Sequence, residues 1–567
     1  MMQIIRLKTG LLYGAFFVAV FCTGVLANPR NMVPPQVAVA TAHPLATQAG
    51  LDVLDQGGNA FDAAVAVSAA LAVVEPYSSG LGGGGFWLLH RATDGLEVMI
   101  DGRERAPLKA HRDMYLDGEG DIIEGASING ALAAGIPGEP AALVHLAENY
   151  GRLPLRQSLA PAIRFADKGF EIDKIYLRLA ELRKEALEHS SAANIFLRNG
   201  DLPRQNEVIK QPELANTLKA LADKGRAGFY SGEVAEKLVS GVQAAGGIWT
   251  ENDLREYRVI ERQPIVGTFK GMRVTSAALP SSGGIVLMEM LNQLENIPLE
   301  GLDEATFDHV LVEVMRRAYR DRAEYMGDPD AIDVPVSKLL DKSYARELQA
   351  SIELKRATLS SELSPTFVAP SPGDNTTHFS IVDREGNLVS ATLSINYPFG
   401  SGFVPAGTGV LLNDEMDDFA AKPGMPNVYG LVGNEANSIG PGKRMLSSMT
   451  PTFLNDGGRI AALGTPGGSR IITMVLFGAL AFSQGASAEE VVSLPRFHHQ
   501  YLPDEIQFEP GALSVDVQSV LKQKGHQLKP QLREYGNMQA VIWERNNSAI
   551  EAASDPRGIG QAVPEAN

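Results

Sequence analysis

Asn375-Thr376-Thr377-His378-Phe379-Ser380 holds the residue types in this chain most able to do chemistry locally. A hydroxyl opens a strand-like run there, directly behind the loop-forming Ser371-Pro372-Gly373-Asp374. Cutting the Asn375–Thr376 bond would leave that hydroxyl on an N-terminal residue. The freed α-amine can then act as base for its own side chain, so no separate His-Asp pair is required. A threonine pair at a strand start is also ordinary strand composition, and only its surroundings separate the two readings. Residues 350–375 are rich in Ser, Pro and Thr and weakly periodic, which reads as an exposed loop where a chain can be cut.

The elements that must position this hydroxyl are legible nearby. Thr376 to Val382 and Leu388 to Asn396 read as strands. Asp383-Arg384-Glu385-Gly386-Asn387 between them reads as a three-residue hairpin loop, with Gly386 in the left-handed position. If Asp383 pairs with Asn387, Thr376 faces Ser394, and Asn396 falls on the same face by the two-residue period. A one-residue bulge would break this register. Upstream, Val37 to Ala42 reads as a strand, Ala60 to Glu75 as a buried helix ended by Pro76, and Phe86 to Leu89 as a buried strand. Gly82 to Gly85 lack a following Gly-Lys-Ser/Thr, so close backbone packing is expected there and not a phosphate loop. Residues 140–260 are helical in pattern, Ile285 to Leu294 forms an apolar helix, and short strands follow Thr376 with a helix near Ile471 to Leu480.

The chain has 567 residues and a formal charge of −17, with no long basic run, which excludes nucleic acid and anionic membrane as expected partners. Residues 1–27 read as an export signal: Arg6 and Lys8, then an apolar run from Leu11 to Leu26, then the small-residue site Val25-Leu26-Ala27. The run is slightly short for a bilayer span, so cleavage is expected over anchoring. Removing two basic residues with it takes the charge from −17 to −19, and removes Cys22, the single cysteine. The mature chain then has no disulfide, no thiol nucleophile and no thiolate metal site, which suits an exported compartment.

Beyond the threonines, the sequence resembles the γ-glutamyltransferase family. The resemblance is carried by Thr376-Thr377-His378-Phe379-Ser380, Met416-Asp417-Asp418-Phe419, Pro423 to Gly430, Leu446-Ser447-Ser448-Met449 and Pro466-Gly467-Gly468-Ser469-Arg470. Upstream, His43-Pro44-Leu45-Ala46, Gly57-Gly58-Asn59, Glu75-Pro76 and the four-glycine run match as well, so the likeness spans about residues 36–560. It implies an α+β N-terminal nucleophile hydrolase with a four-layer αββα sandwich. It also implies self-cleavage between Asn375 and Thr376 into a large subunit (28–375) and a small subunit (376–567) that remain associated as a heterodimer.

Carried over residue by residue, the resemblance makes Thr376 the nucleophile and Ser394, commonly threonine in relatives, the group that orients it. Gly467 and Gly468 become the oxyanion hole. Arg103, Ser447 and Ser448 would bind the α-carboxylate of a γ-glutamyl donor such as glutathione, and Asn396, Glu415 and Asp418 its ammonium. Tyr429 lies on a lid formed by residues 423–430. Arg103 alone reads as a surface salt bridge to Glu104 or Asp101, and Asp417-Asp418 as a solvated turn or metal site. Because the neighbours His498 and His499 would face opposite ways on a strand, no histidine cluster supports a metal. No cofactor is expected. The implied reaction passes the γ-glutamyl group to water or to an amino-acid or dipeptide amine. Alternatives are a cephalosporin (glutaryl) acylase of the same family and a non-catalytic exported binding protein. The expected location is the periplasm, with full secretion as the alternative.

Overall fold

The computed structural model describes residues 33–363 and 375–565; the export segment and residues 364–374 of the loop before Thr376 lie outside the described residues. Two antiparallel sheets stack face to face, with helices on both outer sides. The first sheet runs Gln561–Glu565, Val37–Thr41, Thr377–Val382, Leu388–Ser394, Gly84–Arg91, Leu96–Gly102 and Ile260–Arg262. The second runs Ala549–Ser554, Gln539–Glu544, Arg459–Gly464, Thr452–Asn455, Met272–Ser276 and Ile265–Phe269. Strands from before and after residue 375 enter both sheets: they interleave in the first, while in the second four strands from after residue 375 lie beside two from before it. This is the αββα order expected from the sequence. No helix among the described residues is long and apolar enough to cross a membrane.

Side-chain alternation on the Thr377–Val382 and Leu388–Ser394 strands builds two different layers. Phe379, Ile381, Val389, Ala391 and Leu393 enter the apolar core shared with the helix Ala60–Val74. The other face turns polar residues toward the second sheet, and each is satisfied there, as a buried polar group must be. Ser390 Oγ donates to the Leu463 carbonyl at 3.0 Å, and His378 Nδ1 lies 2.8 Å from Thr392 Oγ1. Burial lowers the His378 pKa to about 3, so the ring is neutral. A Cβ on Gly464 would meet that ring at 2.3 Å, which explains a glycine in this strand.

The helix Ala60–Val74 is buried along its whole length. Its small residues let it lie close on the sheet, and Asn59 and Asp62 cap it reciprocally. Fifteen residues of helix span about 22 Å and six of strand about 20 Å, so the helix matches the strand beneath it. Both ends are tied to the hairpin. Ala60 N donates to Asp383 Oδ2 at 2.9 Å in the hairpin loop, and Thr377 Oγ1 donates to Glu75 Oε2 at 2.7 Å where the strand begins.

The remaining elements fall within a few residues of expectation, including Gly283–Glu295 and Ile471–Phe482. One difference concerns the expected loop at 350–375. It carries a helical turn, Ser360–Leu363, held by Ser360 Oγ donating to the Tyr501 carbonyl at 2.6 Å and by Ser360 N donating to Asp504 Oδ2 at 2.7 Å.

Candidate active site

The hairpin has the register that its turn chemistry requires. Leu388 pairs with Val382 and Leu393 with Thr377, Asp383 N donates to the Asn387 carbonyl at 3.1 Å, and Gly386 sits at φ +89°. The next pair brings Thr376 Oγ1 to 3.3 Å from Ser394 Oγ. The strand stops at Ser394. Asn396 reaches the same place through a left-handed backbone at φ +72°, not through strand alternation, and its N–H donates to Ser394 Oγ at 2.8 Å. The four-glycine run closes this region from the side. A Cβ on Gly82 would lie 2.0 Å from the Leu411 carbonyl oxygen and one on Gly83 2.2 Å from that of Ser394, so backbone approaches backbone here as expected.

Thr376 itself has φ +142°, a region that a β-branched residue occupies only under strain, at a cost on the order of 1–3 kcal/mol. The Asn375 side chain is pinned on the other side of the bond. Its Nδ2 donates to the Tyr77 carbonyl, and its Oδ1 accepts from Ser78 Oγ at 3.2 Å. Beyond Thr376, Pro466-Gly467-Gly468 turns from strand to helix with Gly467 at φ +136° and Gly468 at φ +57°. These angles need glycine.

Two cavities meet at Thr376. The smaller, about 20 Å³, is lined by Arg103, Ser394, Asn396, Glu415, Asp418 and Ser447, with Ser448, Tyr429 and Gly468 completing it. The larger, about 300 Å³, opens on the opposite side past Tyr77, Asn375 and Gly467. Arg103 is fully buried, not a surface residue. Its guanidinium pairs with Asp418, lies 2.7 Å from Glu415 and 3.6 Å from Glu104, and donates to the Met445 carbonyl at 3.3 Å. Burial raises the carboxyl pKa values of Glu415 and Glu104, that of Glu104 to about 8, and Arg103 opposes the rise in both. One cation thus gathers several acids, and a zwitterion can exchange into that arrangement by giving Arg103 a carboxylate and Asp418 an ammonium.

Several residues at this site carried no signal in the sequence. Arg322 is buried and donates to Ser282 Oγ at 2.9 Å and Ser448 Oγ at 3.1 Å. Among the described residues no carboxylate pairs with it, so a positive charge stands directly behind the two serines. It lies on the helix Glu304–Tyr325, where Arg316, Arg317 and Arg320 are neighbouring arginines, and nothing in the local sequence sets it apart from them. Asp414 accepts from Tyr397 N at 2.9 Å, and its carbonyl accepts from Asn396 Nδ2 at 3.1 Å, fixing the turn that carries Asn396.

The segment Pro423–Gly430 lies over the smaller cavity. Tyr429 Oη donates to the Asn396 carbonyl at 2.7 Å, and a Cβ on Gly468 would meet the Tyr429 ring at 2.6 Å. Asp417 is neither a solvated turn nor part of a metal site. It is buried, its Oδ2 accepts from Val428 N at 2.9 Å, and its Oδ1 accepts from Ser127 Oγ at 2.7 Å. The same upstream loop also holds the flanks of this segment, through Lys422 Nζ to the Gly120 carbonyl at 2.8 Å and through Arg112 Nε to Glu435 Oε2 at 3.2 Å.

The expected metal-free reading of the histidines needs one addition. His309, Glu313 and His526 come together in the opposite helical layer. Glu313 Oε2 there accepts from Arg317 and from the Thr358 hydroxyl, both at 2.6 Å, and its Oε1 accepts from Thr358 N at 3.0 Å. His498 and His499 do take separate partners, Thr473 and Asp504.

The family model described as gamma-glutamyltranspeptidase matches residues 46–565. This chain belongs to the γ-glutamyltranspeptidase family. It is 45% identical to the glutathione hydrolase proenzyme of Pseudomonas sp. strain A14 over 86% of this chain and 85% of that one. Against the glutathione hydrolase proenzyme of Escherichia coli K12 it is 42% identical over 92% and 91%. Among solved structures, cephalosporin acylase from Bacillus halodurans superposes with a TM-score of 0.82 at 28% identity, covering 96% of this chain and 99% of that one. The Helicobacter pylori γ-glutamyltranspeptidase covers 60% of this chain and 97% of its own, with a TM-score of 0.56 and 39% identity. The two sheets described above are therefore the N-terminal nucleophile hydrolase sandwich of the γ-glutamyltranspeptidase family.

Proposed function

We propose that this protein is a self-processing γ-glutamyltransferase and glutathione hydrolase in which Thr376 carries the γ-glutamyl group. The observation that carries this reading is the meeting at one hydroxyl of Ser394, the Gly467-Gly468 turn and a cavity lined by Arg103, Asp418, Ser447 and Ser448. In processing, Thr376 Oγ attacks the Asn375 carbonyl carbon, the Asn375–Thr376 C–N bond breaks, and water hydrolyses the resulting ester. The strained φ at Thr376 and the pinned Asn375 side chain favour that bond as the one to yield. The products are a large chain ending at Asn375 and a small chain beginning at Thr376.

In turnover, the freed amine takes the proton of Thr376 Oγ as the oxygen attacks the γ-carbonyl of the donor. The oxyanion forms against the N–H groups of Gly467 and Gly468, one such donor being worth about 2.7–4 kcal/mol of barrier. Ser394 holds the attacking oxygen, Arg103 with Ser447 and Ser448 binds the α-carboxylate, and Asp418, Glu415 and Asn396 receive the ammonium. When the C–N bond breaks, the leaving amine takes the proton from the Thr376 ammonium. Water or an amino-acid or dipeptide amine then attacks the ester, and Thr376 is restored. The smaller cavity measures about 20 Å³ beneath Tyr429, and movement of that side chain with its segment would widen it for the donor.

The acylase reading is disfavoured by Asp418 and Glu415, which a glutaryl group has no ammonium to use. A chromogenic γ-glutamyl anilide, assayed with and without glycylglycine and against its glutaryl analogue, separates the readings. Glutaryl turnover above γ-glutamyl turnover would favour the acylase. No turnover of either by a folded protein would leave only a binding role. Signal cleavage and export, with the periplasm as destination, belong to the same proposal, and N-terminal sequencing of both mature chains tests them.

A further inference from the structure

The smaller cavity at Thr376 accounts for the γ-glutamyl group, but the larger cleft on the other side has no part in holding it. A donor whose α-carboxylate and ammonium lie in the smaller cavity, with its γ-carbonyl at Thr376 Oγ, must send the rest of the molecule into that larger cleft. The amine that later attacks the ester must arrive by the same route, since it takes the place of the group that left.

The cleft has a marked charge. Arg178, Arg533 and Arg557 line it, against Glu75 and Glu534. These groups are not equivalent. Arg557 is committed, lying 2.8 Å from Glu509 and 3.1 Å from Asp555. Glu75 is buried, accepts from the Thr377 hydroxyl, and has its pKa raised by burial to about 7, so near neutral pH it carries only part of a charge. Arg533 stands exposed on the turn that follows the strand Leu528–Pro530, and among the described residues no ion pair holds it. Its planar fork matches a carboxylate.

We propose that Arg533 reads a carboxylate on the departing half of the donor and on the incoming amine, and so sets the preference of this cleft for a free C-terminal carboxylate over its amide. The inference rests on the γ-glutamyl-transfer reading above and adds to it a specificity-determining residue. Because Arg533 is exposed, the recognition is modest in strength and weakened by salt.

The test compares kcat/KM for glutathione with that for its C-terminal carboxamide, at low and at high salt, with the chromogenic γ-glutamyl anilide in parallel. The wild type should favour the acid over the amide by about two- to fivefold at low salt, a preference that shrinks toward unity near ~1 M salt. In Arg533→Ala the preference should collapse to near one, and Arg533→Lys should restore part of it. A wild type indifferent to acid and amide overturns the proposal without recourse to any variant. So does an Arg533→Ala enzyme that keeps the full preference, or that loses acid and amide in equal proportion. Anilide turnover by the wild type reports separately on the underlying reaction, so failure of that reading is distinguishable from failure of this one.

Discussion

Replacing Ser394 by alanine removes the hydroxyl that lies beside the proposed nucleophile. Ser394 Oγ accepts from Asn396 N at 2.8 Å, which fixes the hydroxyl in place, and lies 3.3 Å from Thr376 Oγ1. Before attack, the contact joins two neutral hydroxyls and contributes about 1 kcal/mol or less. As Thr376 Oγ surrenders its proton, Ser394 becomes the donor to a developing charge, where hydrogen bonds are worth about 1.5–3 kcal/mol. A separation of 3.3 Å is long, so the lower end applies, and the transition state gains about 0.5–1.5 kcal/mol over the ground state. Ser394→Ala should therefore lower kcat about two- to tenfold and leave KM within about twofold. Ser394→Thr, which keeps the hydroxyl, should stay within about threefold of wild type. The assay is steady-state cleavage of a γ-glutamyl anilide, normalised to the amount of small chain on a denaturing gel, because the same loss slows processing. A Ser394→Ala enzyme with wild-type kcat would refute the reasoning, as would one whose loss lies wholly in KM.

Thr376→Ala should run as a single full-length band where wild type gives two, and two bands from the variant would move the cleavage elsewhere. Gly83→Ala places a Cβ 2.2 Å from the Ser394 carbonyl oxygen, backbone against backbone, and should cost more than about 3 kcal/mol in denaturant unfolding; a loss under about 1 kcal/mol would mean that the sheet can yield there. Arg322→Met should raise KM for γ-glutamyl donors about tenfold with little change in kcat, and an unchanged KM would assign Arg322 to packing alone. Glu75, with its folded pKa raised to about 7 from 4.5, lends stability that is full below the unfolded value and is lost as pH rises through 7. Glu75→Gln should consequently gain on wild type between pH 5 and 8, by at most about 3 kcal/mol, and a pH-independent difference in denaturation midpoint would contradict the burial argument.

Local chemistry was the most legible part of this protein. The hairpin loop Asp383 to Asn387 has a turn residue at each position that matters, so register, and with it the Thr376–Ser394 contact, followed by counting. The glycine run reads as close backbone packing or a tight turn, and the structure shows the close approach at Gly82 and Gly83. Asn396 was reached by a wrong route: the two-residue period put it on the right face, but the strand had already ended and a left-handed turn does the work. Arg103 shows the opposite failure. Its sequence neighbours Asp101 and Glu104 suggested a surface ion pair, whereas its closest partners come from more than three hundred residues away.

By itself, then, the sequence determined what is set within a few residues: the hydroxyl behind a loop, the strand pair, the glycine turns and the order of the family motifs. Tertiary structure decided the charges. Whether Arg103 is buried, whether Asp417 holds a lid segment or meets water, and whether Arg322 backs Ser448 all depend on contacts between distant segments. The physical reason is that backbone geometry is fixed by local sterics, while the energy of an ion is fixed by the medium and partners that the whole fold brings to it.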